Sequence, residues 1–226
     1  MNPGGIEDAK RRAGESAAAI VEPETVVGLG TGTTAAKAIE ALGNRVDAGL
    51  DVQGIPTSYQ SRTTAREANI PLTTLEDATP DLAIDGADQV ADGQLIKGGG
   101  AAHAREKLVA SAADRFLVVV DHTKEAQTLD EPVPVEVLPD ARKPVADAID
   151  RLGGEPELRD AVRKDGPVVT DNGNLVIDCD FDTIDDPAGL AADLDAVPGI
   201  VEHGLFVDLA DEIHVGTATG VHVDTV

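Results

Sequence analysis

The sequence predicts an α/β protein in which a parallel-sheet domain is joined to a smaller α+β domain. Three observations predict this fold class. Short β-branched runs alternate with helical stretches over about the first half of the chain, prolines cluster near residue 132, and an Asn-Gly pair joins two β-type runs further on. A chain of 226 residues is long enough to form both domains.

The first domain is predicted from alternating strands and helices. Strands are expected at 25–30, 52–55, 82–84 and 116–120, and helices at 7–22, 34–42, 58–68 and 101–112. Gly43 is expected to end the second helix. Because parallel strands need helical crossovers, this order implies a Rossmann-like parallel sheet covered by helices.

The second domain is predicted from the change in texture after Pro132. A helix is expected at 145–152, strands at 168–170 and 175–178 around an Asn-Gly turn, a helix at 187–196 and a strand at 200–207. This pattern is compatible with a ferredoxin-like α+β module. We therefore expect an α/β domain over 1–130 plus 208–226, whose last segment returns to the first sheet, and an α+β lid domain over 131–207.

Composition limits the possible partners and compartment. Forty-two acidic residues against 18 basic ones give a formal net charge of -24, which disfavours binding to nucleic acid. No apolar run approaches the ~20 residues of a membrane-spanning helix, and the start of the chain, Met1 to Asp8, does not have the pattern of a signal peptide. The single cysteine, Cys179, cannot form a disulfide within the chain. We therefore expect a cytoplasmic protein that does not span a membrane. The abundant Asp and scarce Lys are typical of proteins from very salty cytoplasm.

A glycine- and threonine-rich loop follows the first strand. Gly28-Leu-Gly30-Thr-Gly32-Thr-Thr precedes a helix, where backbone amides favour an anion such as phosphate. The loop departs from the dinucleotide fingerprint at Thr33, and it lacks the Gly-Lys-Ser/Thr of a P-loop. An ordinary βα turn with capping threonines would also fit these residues.

Two acids follow the third strand. Asp85 and Asp88 lie three residues apart at the carboxyl edge of the predicted sheet, where open α/β sheets bind ligands. They are candidates for acid–base chemistry, although Asp-rich turns are also common in an acidic protein.

The most informative stretch contains Lys97, Gly98-Gly99-Gly100 and Glu106. Three consecutive glycines are entropically costly, which favours close approach of the backbone to a ligand over a flexible linker. A lysine beside this loop and an acid on the following helix could hold a developing oxyanion and a mobile proton, respectively.

Few other residues suggest chemistry. Lys124 follows the strand at 116–120, so it is expected at the same sheet edge, where local positive charge would help an anionic substrate to bind. The five histidines lack the spacing of a metal site, and Cys179 has no CxxC partner. From these residues we expect no metal site.

Seven segments together resemble the ribose-5-phosphate isomerase A family. They are VGLGTGTTA from Val27, IDGAD from Ile84, LIKGGGAAHAREKLVA from Leu95, VVVDHTK from Val118, PVEVLPDA from Pro134, VTDNGNLVID from Val169 and VPGIVEHGLF from Val197. The resemblance covers nearly the whole chain. It implies a metal-free and cofactor-free aldose-ketose isomerase that interconverts ribose 5-phosphate and ribulose 5-phosphate in the pentose phosphate pathway, and that forms a homodimer or homotetramer.

The resemblance also implies roles for individual residues. Glu106 corresponds to the general base, and Asp85, Asp88 and Lys97 to further catalytic residues. Substrate binding is implied for Lys10, Thr31, Gly32, Thr33, Thr34, Asp85, Gly86, Ala87, Asp88, Lys97, Gly98, Gly99, Gly100 and Lys124. His103 stands where relatives are expected to have an apolar residue, so its role is open.

Two other functions use similar loops. A sugar-phosphate sensor domain of DeoR-type regulators needs a DNA-reading helix-turn-helix, whereas we predict a single helix before the first strand. A sugar-phosphate deaminase or lactonase of the same broad fold is the second alternative, and release of ammonia would identify a deaminase.

Overall fold

The computed structural model describes residues 3–226, and Met1 and Asn2 of the predicted first domain lie outside the described residues. The helices are α1 (Pro3–Ala19), α2 (Thr33–Asp47), α3 (Tyr59–Glu67), α4 (His103–Ala112), α5 (Arg142–Arg151) and α6 (Pro187–Asp195). The strands are β1 (Thr25–Leu29), β2 (Val52–Pro56), β3 (Leu82–Asp85), β4 (Gln89–Ala91), β5 (Gln94–Ile96), β6 (Arg115–Asp121), β7 (Val133–Val137), β8 (Glu155–Leu158), β9 (Leu175–Asp180), β10 (Ile200–His203), β11 (Leu205–Phe206), β12 (Glu212–Gly216) and β13 (Val221–Thr225). The chain divides into two compact units.

Unit 1 comprises residues 1–87, 105–125 and 209–226 and contains a six-stranded sheet. The strand order is β13-β12-β6-β3-β1-β2, in which every pair is parallel except β13 with β12. The parallel α/β sheet predicted from the sequence is therefore confirmed, including the return of the last segment to it. Its inner strands β1, β3, β6 and β12 are mostly buried and rich in Val, Leu and Ile, as expected of strands covered on both faces, whereas the edge strand β13 is exposed.

The prediction that Gly43 ends α2 is wrong, because the helix continues to Asp47. Gly43 is buried inside α2, and a Cβ at this position would lie 2.5 Å from the Ala68 Cβ just after α3. This glycine permits close packing next to α3, a use that sequence alone does not distinguish from helix termination.

Unit 2 comprises residues 88–104 and 126–208. Its four-stranded antiparallel sheet has the order β10-β7-β9-β8, and the chain passes through β7, α5, β8, β9, α6 and β10. This βαββαβ order is the ferredoxin-like topology expected from the sequence. The core includes Val135, Val145, Ile149, Ile177 and Leu194.

The predicted domain boundaries differ from these units. Residues 88–104 and 126–130 were expected in the first domain but belong to unit 2, and Asp208 also falls there. The physical reason is a small sheet of order β11-β5-β4, in which Leu205 pairs with Ile96. The Ala126 N–H also donates to the Val90 carbonyl, at 2.9 Å.

The strand predicted at 168–170 is not formed as a regular strand. Val169 makes only an isolated bridge to Leu175, and the partner of β9 on this side is β8. The turn itself is present: the Thr170 N–H donates to the Asn174 carbonyl, and Gly173 has a φ of 85°. The predicted strand at 200–207 is likewise split at Gly204 into β10 and β11. Among the described residues, no helix is long and apolar enough to cross a membrane.

Candidate active site

The predicted site residues fall into two groups, one on each unit. Unit 1 carries Lys10, Thr31 to Thr34, Asp85, Gly86, Ala87, Glu106 and Lys124, whereas unit 2 carries Asp88, Lys97 and Gly98 to Gly100. The unit boundary falls between Ala87 and Asp88, in the middle of the acidic motif.

The threonine loop of unit 1 joins β1 to α2. Gly32 occupies the N-cap position with a φ of 110°, a left-handed conformation that glycine adopts without strain. The Lys10 ammonium donates to the Thr33 hydroxyl at 3.0 Å, so the structure brings Lys10 of α1 to the loop. A helix N-terminus with a lysine beside it is suited to binding a phosphate group.

Asp85 is tied to the same loop. Its side chain is 3% exposed, and its Oδ1 accepts hydrogen bonds from the Thr31 N–H at 3.0 Å and the Gly86 N–H at 2.7 Å. A Cβ on Gly30 would lie 2.1 Å from the Asp85 carboxylate, so glycine is required for this approach. Asp85 therefore connects the end of β3 to the threonine loop through backbone donors.

Glu106 lies in the first turn of α4 and is 4% exposed. Together with Gly30, Thr57 and Asp85 it borders a gap in unit 1 that is too small to hold a water molecule. A carboxylate near a helix N-terminus is stabilised by the helix dipole. Glu106 and Asp85, the two acids that the sequence assigned to chemistry in this unit, therefore lie near each other.

Close packing of α4 on β1 sets the position of Glu106. Gly28 of β1 faces Val109, one turn after Glu106, and a Cβ at Gly28 would be 2.4 Å from the Val109 Cγ1. The glycine at position 28 therefore belongs to the packing of α4 as well as to the phosphate-type loop.

Lys124 ends a short 3₁₀ turn, His122–Lys124, directly after β6. Because β6 pairs in parallel with β3, both strands end at the same edge of the sheet. Asp121 caps the turn by accepting a hydrogen bond from the Thr123 N–H, at 3.0 Å. Lys124 is therefore held near the strand edge that carries Asp85.

In unit 2, Lys97 is 3% exposed although it is a lysine. Its backbone N–H donates to the Gly204 carbonyl at 2.8 Å. Its side-chain ammonium lies 5.3 Å from the centroid of the Phe206 ring, within the range of a cation–π contact. Burial of an ammonium group is unfavourable unless other interactions compensate its lost hydration. A lysine that is buried in spite of this cost is a candidate for a functional residue.

The glycine loop follows Lys97. Gly98 is buried with a φ of 111°, whereas Gly99 and Gly100 are exposed. The Gly99 N–H donates to Asp88 Oδ2 at 2.7 Å, so Asp88 holds the loop in unit 2 as Asp85 holds the threonine loop in unit 1.

The chain is similar to known proteins over nearly its whole length. The family model for ribose 5-phosphate isomerase A (phosphoriboisomerase A) matches residues 53–220. The ribose-5-phosphate isomerase A of Haloarcula marismortui is 69% identical over 225 residues, covering 100% of this chain and 99% of the relative. That of Natronomonas pharaonis is 71% identical over 220 residues, covering 97% of this chain and 98% of the relative. The chain belongs to the ribose-5-phosphate isomerase A family.

Solved structures of the family have the same fold. The ribose 5-phosphate isomerase A of Methanocaldococcus jannaschii matches with a TM-score of 0.94 and 44% identity, covering 97% of this chain and 99% of that one. A D-ribose-5-phosphate isomerase in complex with phospho-erythronic acid matches with a TM-score of 0.96 and 42% identity over 100% of both chains. The family resemblance inferred from the seven segments is thus confirmed.

Sequence reasoning missed two hydroxyl residues beside the family's threonine loop. Thr31 Oγ1 lies 2.8 Å from Thr57 Oγ1 and donates to Ser58 Oγ at 2.7 Å. Thr57 and Ser58 directly follow β2, and β2 pairs in parallel with β1. Their place after a neighbouring parallel strand is the signal that could have found them.

His103 has a packing role in the structure. Its ring is buried, and its Nε2 accepts a hydrogen bond from the Glu136 N–H at 3.1 Å. A Cβ on Gly98 would lie 2.7 Å from its Nδ1, so the imidazole lies directly against the glycine loop.

Two groups of side chains among the described residues could hold a metal ion. They are Glu125 with His222 and Asp224, and Asp195 with Glu202 and His203. Neither group contains a predicted catalytic residue.

Proposed function

We propose that this chain interconverts D-ribose 5-phosphate and D-ribulose 5-phosphate, with Glu106 as the base. The observation that carries this assignment is the buried Glu106 carboxylate, which lies near the buried Asp85 in a chain of this family. A carboxylate at this position is the type of side chain that can remove a carbon-bound proton.

The reaction moves one proton between adjacent carbons. Glu106 removes the C2 proton of the open-chain aldose, the electron pair of that bond forms the C1–C2 double bond, and the π electrons of the C1 carbonyl move onto O1 to give an enediolate. Return of the same proton to C1 gives the ketose, while the O2 hydroxyl proton is transferred to O1. The reaction is redox-neutral, and one carboxylate can carry both carbon-bound proton transfers.

The other assignments follow from the chemistry of each group. Lys97 neutralises the enediolate oxygen, and either Asp85 or Asp88 moves the hydroxyl protons and assists ring opening. The loop of Thr31 to Thr34 binds the phosphate, Lys10 and Lys124 contact the substrate, and Gly86, Ala87 and Gly98 to Gly100 belong to the substrate-binding residues. Support comes from the 3.0 Å Lys10–Thr33 hydrogen bond and from the buried, aromatic-packed Lys97.

The test is the Glu106→Gln variant, which keeps the shape of the side chain and removes its basicity. We expect kcat to fall roughly 10²- to 10⁴-fold with a modest change in KM. The matched control is Glu67→Gln, which removes the same charge from an exposed position in α3 and is expected to have normal kinetics. Near-normal turnover of Glu106→Gln would refute the base assignment.

An isotope experiment separates loss of the base from loss of the fold. Ribose 5-phosphate deuterated at C2 should show a primary isotope effect in the wild type, and folded Glu106→Gln should retain substrate binding without exchange of the C2 label. Wild-type protein that releases ammonia from an amino-sugar phosphate and leaves ribose 5-phosphate unchanged would favour a deaminase instead.

We also propose that the protein works in the cytoplasm as a homodimer or homotetramer and needs no metal or cofactor. The proton transfers need only a carboxylate and a cation, and the family resemblance implies an oligomer. Activity should persist in EDTA at high salt, and light scattering after gel filtration should give a mass of two or four chains. Loss of activity in EDTA, restored by a divalent ion, would contradict the metal-free assignment.

A further inference from the structure

We infer that Arg159 is a positioning residue that fixes the peptide groups of the glycine loop for catalysis. Arg159 directly follows β8 and is separated from the loop by about sixty residues of sequence, but its guanidinium Nη1 donates to the Gly98 carbonyl at 2.8 Å and to the Gly99 carbonyl at 3.2 Å. This inference rests on the proposed function, because the loop follows Lys97.

The peptide group between Gly98 and Gly99 is held at both ends. Its carbonyl accepts from Arg159 at 2.8 Å and from the Ala101 N–H within the loop at 3.0 Å, and its N–H donates to Asp88 at 2.7 Å. Since the carbonyl and N–H of a trans peptide point in opposite directions, the two contacts together define the orientation of its plane. Glycine has no side chain that could fix it otherwise, and it is the residue with the greatest backbone freedom.

The next peptide group is held at its carbonyl alone. Gly99 O accepts from Arg159, which turns the Gly100 N–H to the opposite side. Within residues 3–226 this N–H has no hydrogen-bond acceptor, and Gly100 is exposed. Arg159 therefore presents a backbone donor of the kind that stabilises an oxyanion or binds a sugar hydroxyl.

The guanidinium is itself held in place. Arg159 Nε donates to Asp178 Oδ2 at 2.8 Å, and Nη2 donates to Asp178 Oδ1, so the contact is a two-pronged ion pair. The backbone of Arg159 is also fixed, because its N–H donates to the Val176 carbonyl and its carbonyl accepts from the Val168 N–H. The side chain of Arg159 is mostly buried, with 17% exposed. Because its backbone and its guanidinium are both held by the four-stranded sheet, Arg159 fixes the glycine loop relative to that sheet.

The experiment compares Arg159→Met, Arg159→Lys and Asp178→Asn with the control Arg163→Met, an exposed arginine of the following loop. We expect Arg159→Met to lower kcat roughly 10- to 100-fold with KM changed less than about threefold, because misplacement of a loop by about 1 Å has an effect of this size. Arg159→Lys keeps the charge without the fork and should recover only part of the loss. Asp178→Asn should have a smaller effect in the same direction, and Arg163→Met should match the wild type.

Amide hydrogen exchange gives a readout that is independent of turnover. Exchange of the Gly99 amide should accelerate in Arg159→Met and stay unchanged in Arg163→Met. If Arg159→Met does not fold, Arg159→Lys decides, and wild-type kcat and exchange in that variant overturn the inference. A folded Arg159→Met that loses thermal stability but keeps kcat also overturns it. Absence of isomerase turnover in the wild type would instead contradict the proposed function. In that case the exchange rate of the Gly99 amide alone would test whether Arg159 holds the glycine loop.

Discussion

Substituting Gly28 with Ala tests whether close packing of α4 on β1 positions Glu106. The added methyl would lie 2.4 Å from the Val109 Cγ1 and 3.0 Å from the Ala83 Cβ, whereas favourable carbon–carbon contacts need ~3.5 to 4.0 Å. Overpacking of this kind destabilises by about 1–3 kcal/mol, and the lower entropy of the unfolded alanine chain offsets about 0.4–1 kcal/mol of that. We expect Gly28→Ala to lower the free energy of unfolding by about 1–2 kcal/mol.

The partner substitution, Val109→Ala, makes this expectation specific. It removes two methyl groups, including the Cγ1 that the new methyl would meet, at a cost of about 2 kcal/mol from lost burial and the cavity left behind. In the double variant the alanine methyl at position 28 occupies the space vacated by Cγ1. The double variant should therefore be more stable, by about 1 kcal/mol or more, than the sum of the two single effects predicts.

Urea unfolding in molar KCl measures the four free energies of this cycle, and kinetics measure the consequence for the site. Gly28→Ala should lower kcat because α4 must shift and carry Glu106 with it, and Val109→Ala in the same chain should restore part of the rate. Gly220→Ala is the control, since a Cβ there meets nothing within 4 Å. Additivity of Gly28→Ala and Val109→Ala within about 0.5 kcal/mol would refute the reasoning.

Two further predictions concern solution conditions. The net charge is -24, and the length over which salt screens the repulsion between surface carboxylates falls from ~10 Å at 0.1 M to ~3 Å at 1 M salt. The thermal unfolding midpoint and the activity should therefore rise between low and molar KCl. Equal midpoints across a KCl series would count against an adaptation to salt. Burial lowers the pKa of His214 below 6.5, more than the nearby Glu212 carboxylate raises it, and its Nδ1 lies 2.9 Å from the Ser16 hydroxyl. As pH falls below about 6.5 the unfolded chain takes up the proton first, so this group should reduce the free energy of unfolding by at most about 1.4 kcal/mol per pH unit. Urea titrations from pH 7 to pH 5.5 should show a weaker pH dependence for His214→Gln than for the wild type, and identical slopes would contradict this.

The sequence predicted those parts of the fold that rest on local pattern. Runs such as Phe116 to Val120 are apolar, β-branched and flanked by breakers, so they identify buried strands without further information. Gly43 shows the limit of such signals, because a glycine that permits packing looks the same as one that ends a helix. Strands β4 and β5 were missed because each has three residues, and because β5 pairs with Leu205 and Phe206, more than a hundred positions away.

The candidate site divides in the same way. Glu106, Asp85 and the glycine loop belong to local motifs. Such a motif can be read from the sequence because its residues are neighbours in the chain. Arg159 and Thr57 reach the loops only through strand pairing, β8 with β9 and β1 with β2. Nothing in the spacing of residues 98 and 159 indicates that the two residues touch.

Binding of an anionic substrate by so acidic a chain depends on the kind of donor at the loops. Backbone amides carry no net charge, so nearby surface carboxylates cannot form ion pairs with them and occupy them in that way. A hydrogen bond is ~3 Å long, which is no longer than the screening length at molar salt, so salt weakens it little. Lysines are few, but Lys10 donates a hydrogen bond to Thr33 and so lies beside the amide donors of the threonine loop. High salt suppresses the longer-range repulsion between the sugar phosphate and the surface carboxylates while leaving these short contacts in place. A phosphate site built from a helix N-terminus, hydroxyls and held lysines is therefore compatible with a net charge of -24.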